Sequence, residues 1–135
     1  MVGLTLLIVT ILFGIACNKQ SLAKKYMPEQ ETPKNEHAVL VYIKFSDDEF
    51  GQPEEREALY QLEDKLEPLV NSSGAGEFDG HEFGGGYGTL YMYGANADKL
   101  FDVVVQAIRD SKPQRGSYVI KRYGNVGAKE ERINL

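Results

Sequence analysis

The stretch "GEFDGHEFGGGYGTLYMYG", residues 76–94, decides the fold. Phe78, Phe83 and the tyrosines flank a glycine cluster at Gly84 to Gly86, which is the composition of a hairpin with strands near 77–83 and 87–93. The sequence on either side of this hairpin is helical. Upstream, Pro53 sits where a first helical turn tolerates it, and Glu54, Glu55 and Glu57 suit the positive end of the helix dipole. Leu59, Leu62, Leu66 and Leu69 then recur at helical spacing as one apolar stripe, and Pro68 should end or kink the helix near its last turn. Downstream, Asn96 is placed to cap a second helix with Leu100, Phe101, Val104, Val105 and Ile108 as its buried face, closed by Pro113.

Further out lie more strands. "AVLVYIKF", 38–45, is β-branched and aromatic and too short for an average helix, so it reads as a central strand with Val39, Val41, Ile43 and Phe45 on one face. "GSYVIKRYG", 116–124, is another, and "EERINL", 130–135, is a possible last edge strand reached through the turn "YGNVGA". The order is β-α-β-β-α-β: an α+β, ferredoxin-like antiparallel sheet with two helices on one face and a possible extra C-terminal edge strand. The other face has no helix left to cover it. "GTLYMYGANADKLF", 88–101, and "GSYVIKRYG" are similar to small uncharacterised bacterial ferredoxin-like proteins whose second half runs glycine-strand, "YG", helix, strand, "RYG". That resemblance covers about half the chain, and its motifs are structural, so it implies a fold and no chemistry.

The other end of the chain reads as an address. Between Val2 and Ala16 the residues are almost all apolar, a run of about 15 against the roughly 20 that a membrane-spanning helix needs. Small residues follow at Gly14 and Ala16, which is the pattern of a secretory signal over 1–16. "GIAC", 14–17, resembles the lipobox of bacterial lipoproteins, which implies that Cys17 is lipidated and heads the mature chain, with the domain held at the cell envelope and facing the periplasm or exterior. The alternative is an uncleaved anchor helix with an incidental cysteine. Cys17 is the only cysteine, so no intramolecular disulfide is available, and a lipidated thiol cannot serve as a nucleophile. Residues 17–36 then form the lipidated N-terminus and a tether. "NKQSLAKKYMPEQETPKNE", 18–36, lacks apolar periodicity and carries Pro28 and Pro33; as a flexible coil it would reach roughly 25 Å.

Residues 37–135 make up a single α+β domain. They carry 11 Lys plus Arg against 17 Asp plus Glu, a net of minus six, which opposes a nucleic-acid backbone as partner. Asp79, His81 and Glu82 are the one cluster that can be drawn as a metal site. On an extended strand Asp79 and His81 share a side and Glu82 takes the other, so at most two converge where a catalytic zinc needs three protein ligands. "GGGYG", 84–88, leads into a strand rather than a helix N-terminus, so it is a bend and not a phosphate cradle. No serine stands in a nucleophile elbow, and no pattern asks for a cofactor.

The tyrosines remain. If Val39, Val41 and Ile43 face the helices, then Leu40 and Tyr42 stand on the open face, and Tyr91, Tyr93, Val119 and Tyr123 are expected to join them. Such a face suits protein binding, because a tyrosine ring buries area while its hydroxyl stays bonded; cross-strand pairs that merely stabilise the sheet are the competing account. The expectation is a membrane-tethered, non-enzymatic module that captures a protein partner or a second copy, with an immunity or inhibitor role among the options. The enzyme alternative is a small hydrolase or metal-dependent protein using Asp79 and His81.

Overall fold

The computed structural model describes residues 36–135; the apolar run read above as a signal sequence, Cys17, and the stretch read as a tether up to residue 35 lie outside the described residues. The chain order is β1 (His37–Lys44), α1 (Pro53–Ser73), β2 (Glu77–Gly84), β3 (Tyr87–Gly94), α2 (Ala97–Asp110), β4 (Tyr118–Arg122) and β5 (Glu130–Asn134). The strands form one sheet in the order β2-β3-β1-β4-β5, with every neighbouring pair antiparallel. This is the ferredoxin-like arrangement with β5 added outside β4. Among the described residues no helix is long and apolar enough to cross a membrane.

Local chemistry sets the boundaries. Gly85 and Gly86, at φ of 58° and 78°, make the two-residue turn between β2 and β3, a left-handed pair whose twist matches the strands it joins. One further glycine is required by packing, because a Cβ at Gly88 would fall 2.7 Å from the side chains of Leu59 and Phe45, where α1 lies close over β3. Asn96 caps α2 by accepting the Lys99 amide at 3.0 Å.

α1 departs from the expectation at its C-terminal end. It passes through Pro68 and stops at Gly74, whose φ of 71° gives the left-handed cap. Pro68 and Asp64 are both exposed, so the Asp64 carbonyl that loses its helical donor can be served by water, and the Ser72 hydroxyl donates to the Pro68 carbonyl at 2.6 Å. The stripe also shifts. Val70 is fully buried while Leu69 is 41% exposed, because after Leu62 and Leu66 the next position on the same side of the helix is four residues on.

The core lies between the helices and one face of the sheet. Val39, Val41, Leu90, Met92 and Val119 point up from the strands, while Leu59, Leu62, Leu66 and Val70 of α1 and Leu100, Val104 and Ile108 of α2 point down. All these residues lie inside the described unit, which therefore holds a complete core of its own.

Candidate functional site: the helix-free face of the sheet

Strand register decides what stands on the uncovered face. Ala38, Leu40, Tyr42 and Lys44 alternate with the buried valines of β1. Leu40 pairs with Tyr91 of β3 and Ile120 of β4, and Tyr42 pairs with Thr89 and Tyr118. Toward one edge, Tyr93 meets Glu77 and Thr89 meets Glu82, both from β2. Toward the other, Ile120 meets Arg132 and Arg122 meets Glu130, both from β5. The face is thus an aromatic and aliphatic centre with Glu77 and Glu82 on the β2 side and Arg122, Arg132 and Glu130 on the β4–β5 side.

The rings are ordered against one another. Tyr118 stacks on Tyr42 with centroids 4.6 Å apart and planes 13° off parallel, and Tyr87 stands edge-on to both, at 6.1 Å from Tyr42 and 5.6 Å from Tyr118. The Arg132 guanidinium lies 3.6 Å from the Tyr118 ring centre, and Lys44 Nζ lies 5.2 Å from that of Tyr87, so cations close both ends of the stack. Beneath this layer Leu40 is 8% exposed and Thr89 7%, although no helix covers them. The Tyr91 hydroxyl donates to Glu82 Oε2 at 2.8 Å. Burial first, and then that bond and the Glu82 charge, push the Tyr91 phenol up to about 12; burial likewise raises Tyr42, with the neighbouring Tyr118 adding to it. Rings held this way lose little freedom when a partner covers them.

Leu40, Tyr42, Tyr91 and Tyr93 are on this face; Val119 and Tyr123 are not. Val119 pairs with Val41 and is fully buried under the helices, and Tyr123, in step with it, turns to the helix side. Alternation within β4 cannot by itself say which set points where; the pairing with β1 does, and it assigns Tyr118, Ile120 and Arg122 to the open face. The misleading residue is Lys121, a charge on the buried side. It is accommodated because Asp98 Oδ1 lies 2.7 Å and Glu131 Oε2 2.8 Å from its Nζ, while the Tyr123 hydroxyl lies 2.8 Å from each carboxylate. The Lys121 hydrogen bonds hold the Asp98 and Glu131 carboxyls below their usual range, and the two carboxylates raise Lys121 in turn. His37 completes this cluster, edge-on to Tyr123 at 5.9 Å and accepting the Ala97 amide at Nδ1. It fastens α2 to β4 and β5, with the one Lys121 ammonium shared between the two carboxylates.

The other candidates separate. Between Phe78 and Gly80 the β2 register shifts in a bulge, so Asp79 is the extra residue and the simple alternation linking it to His81 fails. His81 pairs with Leu90 on the helix side, where its Nδ1 is 2.6 Å from Glu63 Oε2 and its ring packs against Tyr60 and Phe83. Glu82, on the opposite face, is bound to Tyr91. Among the described residues no three His, Cys, Asp or Glu side chains converge as a metal site. The residues that sequence reasoning missed are Tyr87, Tyr118, Ile120, Arg122 and Arg132; alternation with Tyr91 and Tyr93 along β3 finds Tyr87, and the inward pair Val41–Val119, which sets the parity of β4 and then of β5, finds the others.

The fold and this face define an α+β domain of ferredoxin-like topology carrying an open, tyrosine-covered sheet. No family model, curated protein or solved structure matches the chain.

Proposed function

We propose that this chain is a non-enzymatic protein-binding module of the bacterial envelope, tethered to a membrane through a lipidated Cys17, and that the helix-free sheet face is its binding surface. The observation that carries the binding reading is the tyrosine layer: stacked, preorganised rings without a covering helix offer apolar area and hydroxyls together, the mixture enriched at protein interfaces. The tether reading rests on the apolar run that ends at "GIAC".

Two measurements on the full chain test these parts separately. Replacing Tyr42, Tyr91 and Tyr93 together by alanine should leave a folded protein that no longer captures a partner from envelope extract or self-associates, since a hot spot contributes about 2 kcal/mol or more to binding. A folded triple variant that matches wild type in both pull-down and sedimentation would remove the face from consideration. Cys17→Ser should abolish lipidation and leave an uncleaved or mis-sorted precursor of altered mass; unchanged mass and detergent partitioning would make the apolar run a plain anchor.

A further inference from the structure

We propose that the occupant of the open face is the open face of a second copy of this chain, docked about a two-fold axis that runs parallel to the strands over β1. This inference rests on the reading of the open face as the binding surface, and it adds the partner and the geometry.

Charge supports self-recognition. Residues 37–135 carry a net of minus six, yet the face itself is balanced: Lys44, Arg122 and Arg132 stand against Glu77, Glu82 and Glu130. The surplus negative charge therefore lies elsewhere, and two copies repel through other surfaces while this one is neutral.

The layout selects the axis. A two-fold along the strands over β1 lays β5 of one copy across β2 of the other, and β4 across β3. Arg132 then comes to rest over Gly80 of the second copy, between its Glu77 and Glu82. Room exists there, because a Cβ at Gly80 would meet nothing within 4 Å. In the next strand Tyr118 falls over the row of Thr89, Ile120 over Tyr91, and Arg122 over the Tyr93 ring; Leu40 and Thr89 lie beneath the tyrosine layer, so the contact in their rows is made by the rings above them. Two like charges approach: Glu130 opposes Glu77, offset by Arg122, which pairs with Glu130 across β4 and β5, and Lys44 opposes its own copy at the end of the axis, where its Nζ already lies 3.3 Å from Asp48 Oδ1. An axis across the strands that kept all the rows in contact would set β5 on β5 and Arg132 on Asn134, and moving it to pair Arg132 with Glu130 would leave the Tyr42 and Lys44 rows outside the contact.

Size sets the strength. Five strands about 4.8 Å apart and four rows of same-side residues about 7 Å apart make a patch of roughly 500 Å² per copy with side chains included. The total of about 1,000 Å² lies at the low end of specific interfaces, which places the dimer in the weak, reversible class. Confinement of two copies to one membrane would raise their effective concentration and favour it.

The test uses the full chain in bacterial membranes with a photo-crosslinking phenylalanine derivative at position 91. Irradiation should give a product of twice the chain mass, with the crosslink mapped to the peptide that contains Ile120. A crosslink to a different protein overturns the second-copy proposal while supporting the binding-module reading; absence of any product counts against both. Arg132→Glu alone and Glu82→Arg alone should each lower dimer yield by at least about tenfold, as a like-charge approach worth upward of 1.4 kcal/mol would. Co-expressing the two variants under different tags should restore the product between them, and because that rescue needs both variants folded, it separates docking from loss of structure. Undiminished yield with Arg132→Glu, or failure of the two variants to rescue each other, would overturn the proposed geometry.

Discussion

Removal of the Tyr118 ring probes the corrected face directly. In Tyr118→Ala the stacked contact with Tyr42 disappears, for about 0.5–1.5 kcal/mol beyond area burial, together with an exposed cation–π contact to Arg132 of about 0.5–1 kcal/mol and the edge contact to Tyr87. The sum is about 1.5–3 kcal/mol, against the roughly 5–15 kcal/mol typical of a folded domain, so the variant should stay folded. Its melting temperature should fall by roughly 8–16 °C, taking 2 kcal/mol as representative of a domain of this size. Urea unfolding of Tyr118→Ala, Arg132→Ala and the double variant should give a coupling of about 0.5–1 kcal/mol. Tyr123→Ala supplies the contrast: its ring is on the helix side, so it should be additive with Tyr42→Ala. Additivity within about 0.3 kcal/mol for Tyr118 with Arg132, or coupling of Tyr123 with Tyr42, would show that the β4 assignment is inverted.

Two further outcomes follow from the core and the loops. Leu62→Ala should cost about 2–5 kcal/mol in denaturant unfolding, and Val104→Asp, which puts an unpaired charge at a fully buried site, should abolish the cooperative transition. Asp47 and Glu55 are held below the usual carboxylate range, Asp47 first by the Gly51 amide and Glu55 first by the Gln52 amide, so their contribution is present above their unfolded values and lost as pH falls. Melting temperature should therefore drop as pH is taken below about 4, and less steeply in the Asp47→Asn, Glu55→Gln variant.

What the sequence made legible was the part governed by local rules. Glycine pairs, an asparagine cap and leucines at helical spacing each act within a few residues, so the hairpin at Gly85 and Gly86, the cap at Asn96 and the β-α-β-β-α-β order could be read directly. The errors arose where one strand depends on another. Along "YVIKR" the two alternating sets are Tyr118, Ile120, Arg122 and Val119, Lys121, and neither is plainly the more apolar. The lysine counts against its own set unless Asp98 and Glu131 are known to reach it, and those residues are 23 and 10 positions away in the chain. The bulge in β2 is of the same kind: one extra residue at Asp79 changes what every later side chain faces, and no residue type in "EFDGHEFG" announces it beyond Gly80.

The two edges of the sheet explain why association is assigned to its face. Edge strands invite pairing with another chain unless something blocks them. β2 is interrupted by the bulge at Asp79 and by Gly80, at φ of 106°, while β5 presents Glu130, Glu131 and Arg132 in succession. Lateral growth of the sheet is therefore opposed on both sides. The helix layer is opposed for a different reason: α1 carries six acidic residues against two basic and α2 three against two, a combined net of minus five out of the domain's minus six. With edges interrupted and helices repelling their like, the balanced tyrosine face is the one broad surface on which a second copy meets neither obstacle. Raising ionic strength should then have opposite effects on two terms: it screens the helix-layer repulsion, which acts over a Debye length of about 8–10 Å, while it weakens Arg132 against Glu77 and Glu82 only to the extent that water still reaches them. A dimer whose yield holds or rises between low and physiological salt fits an apolar face with partly desolvated charge pairs. A yield that collapses over the same range would assign the association to exposed charges instead, and the tyrosine layer would be left as packing over Leu40 and Thr89.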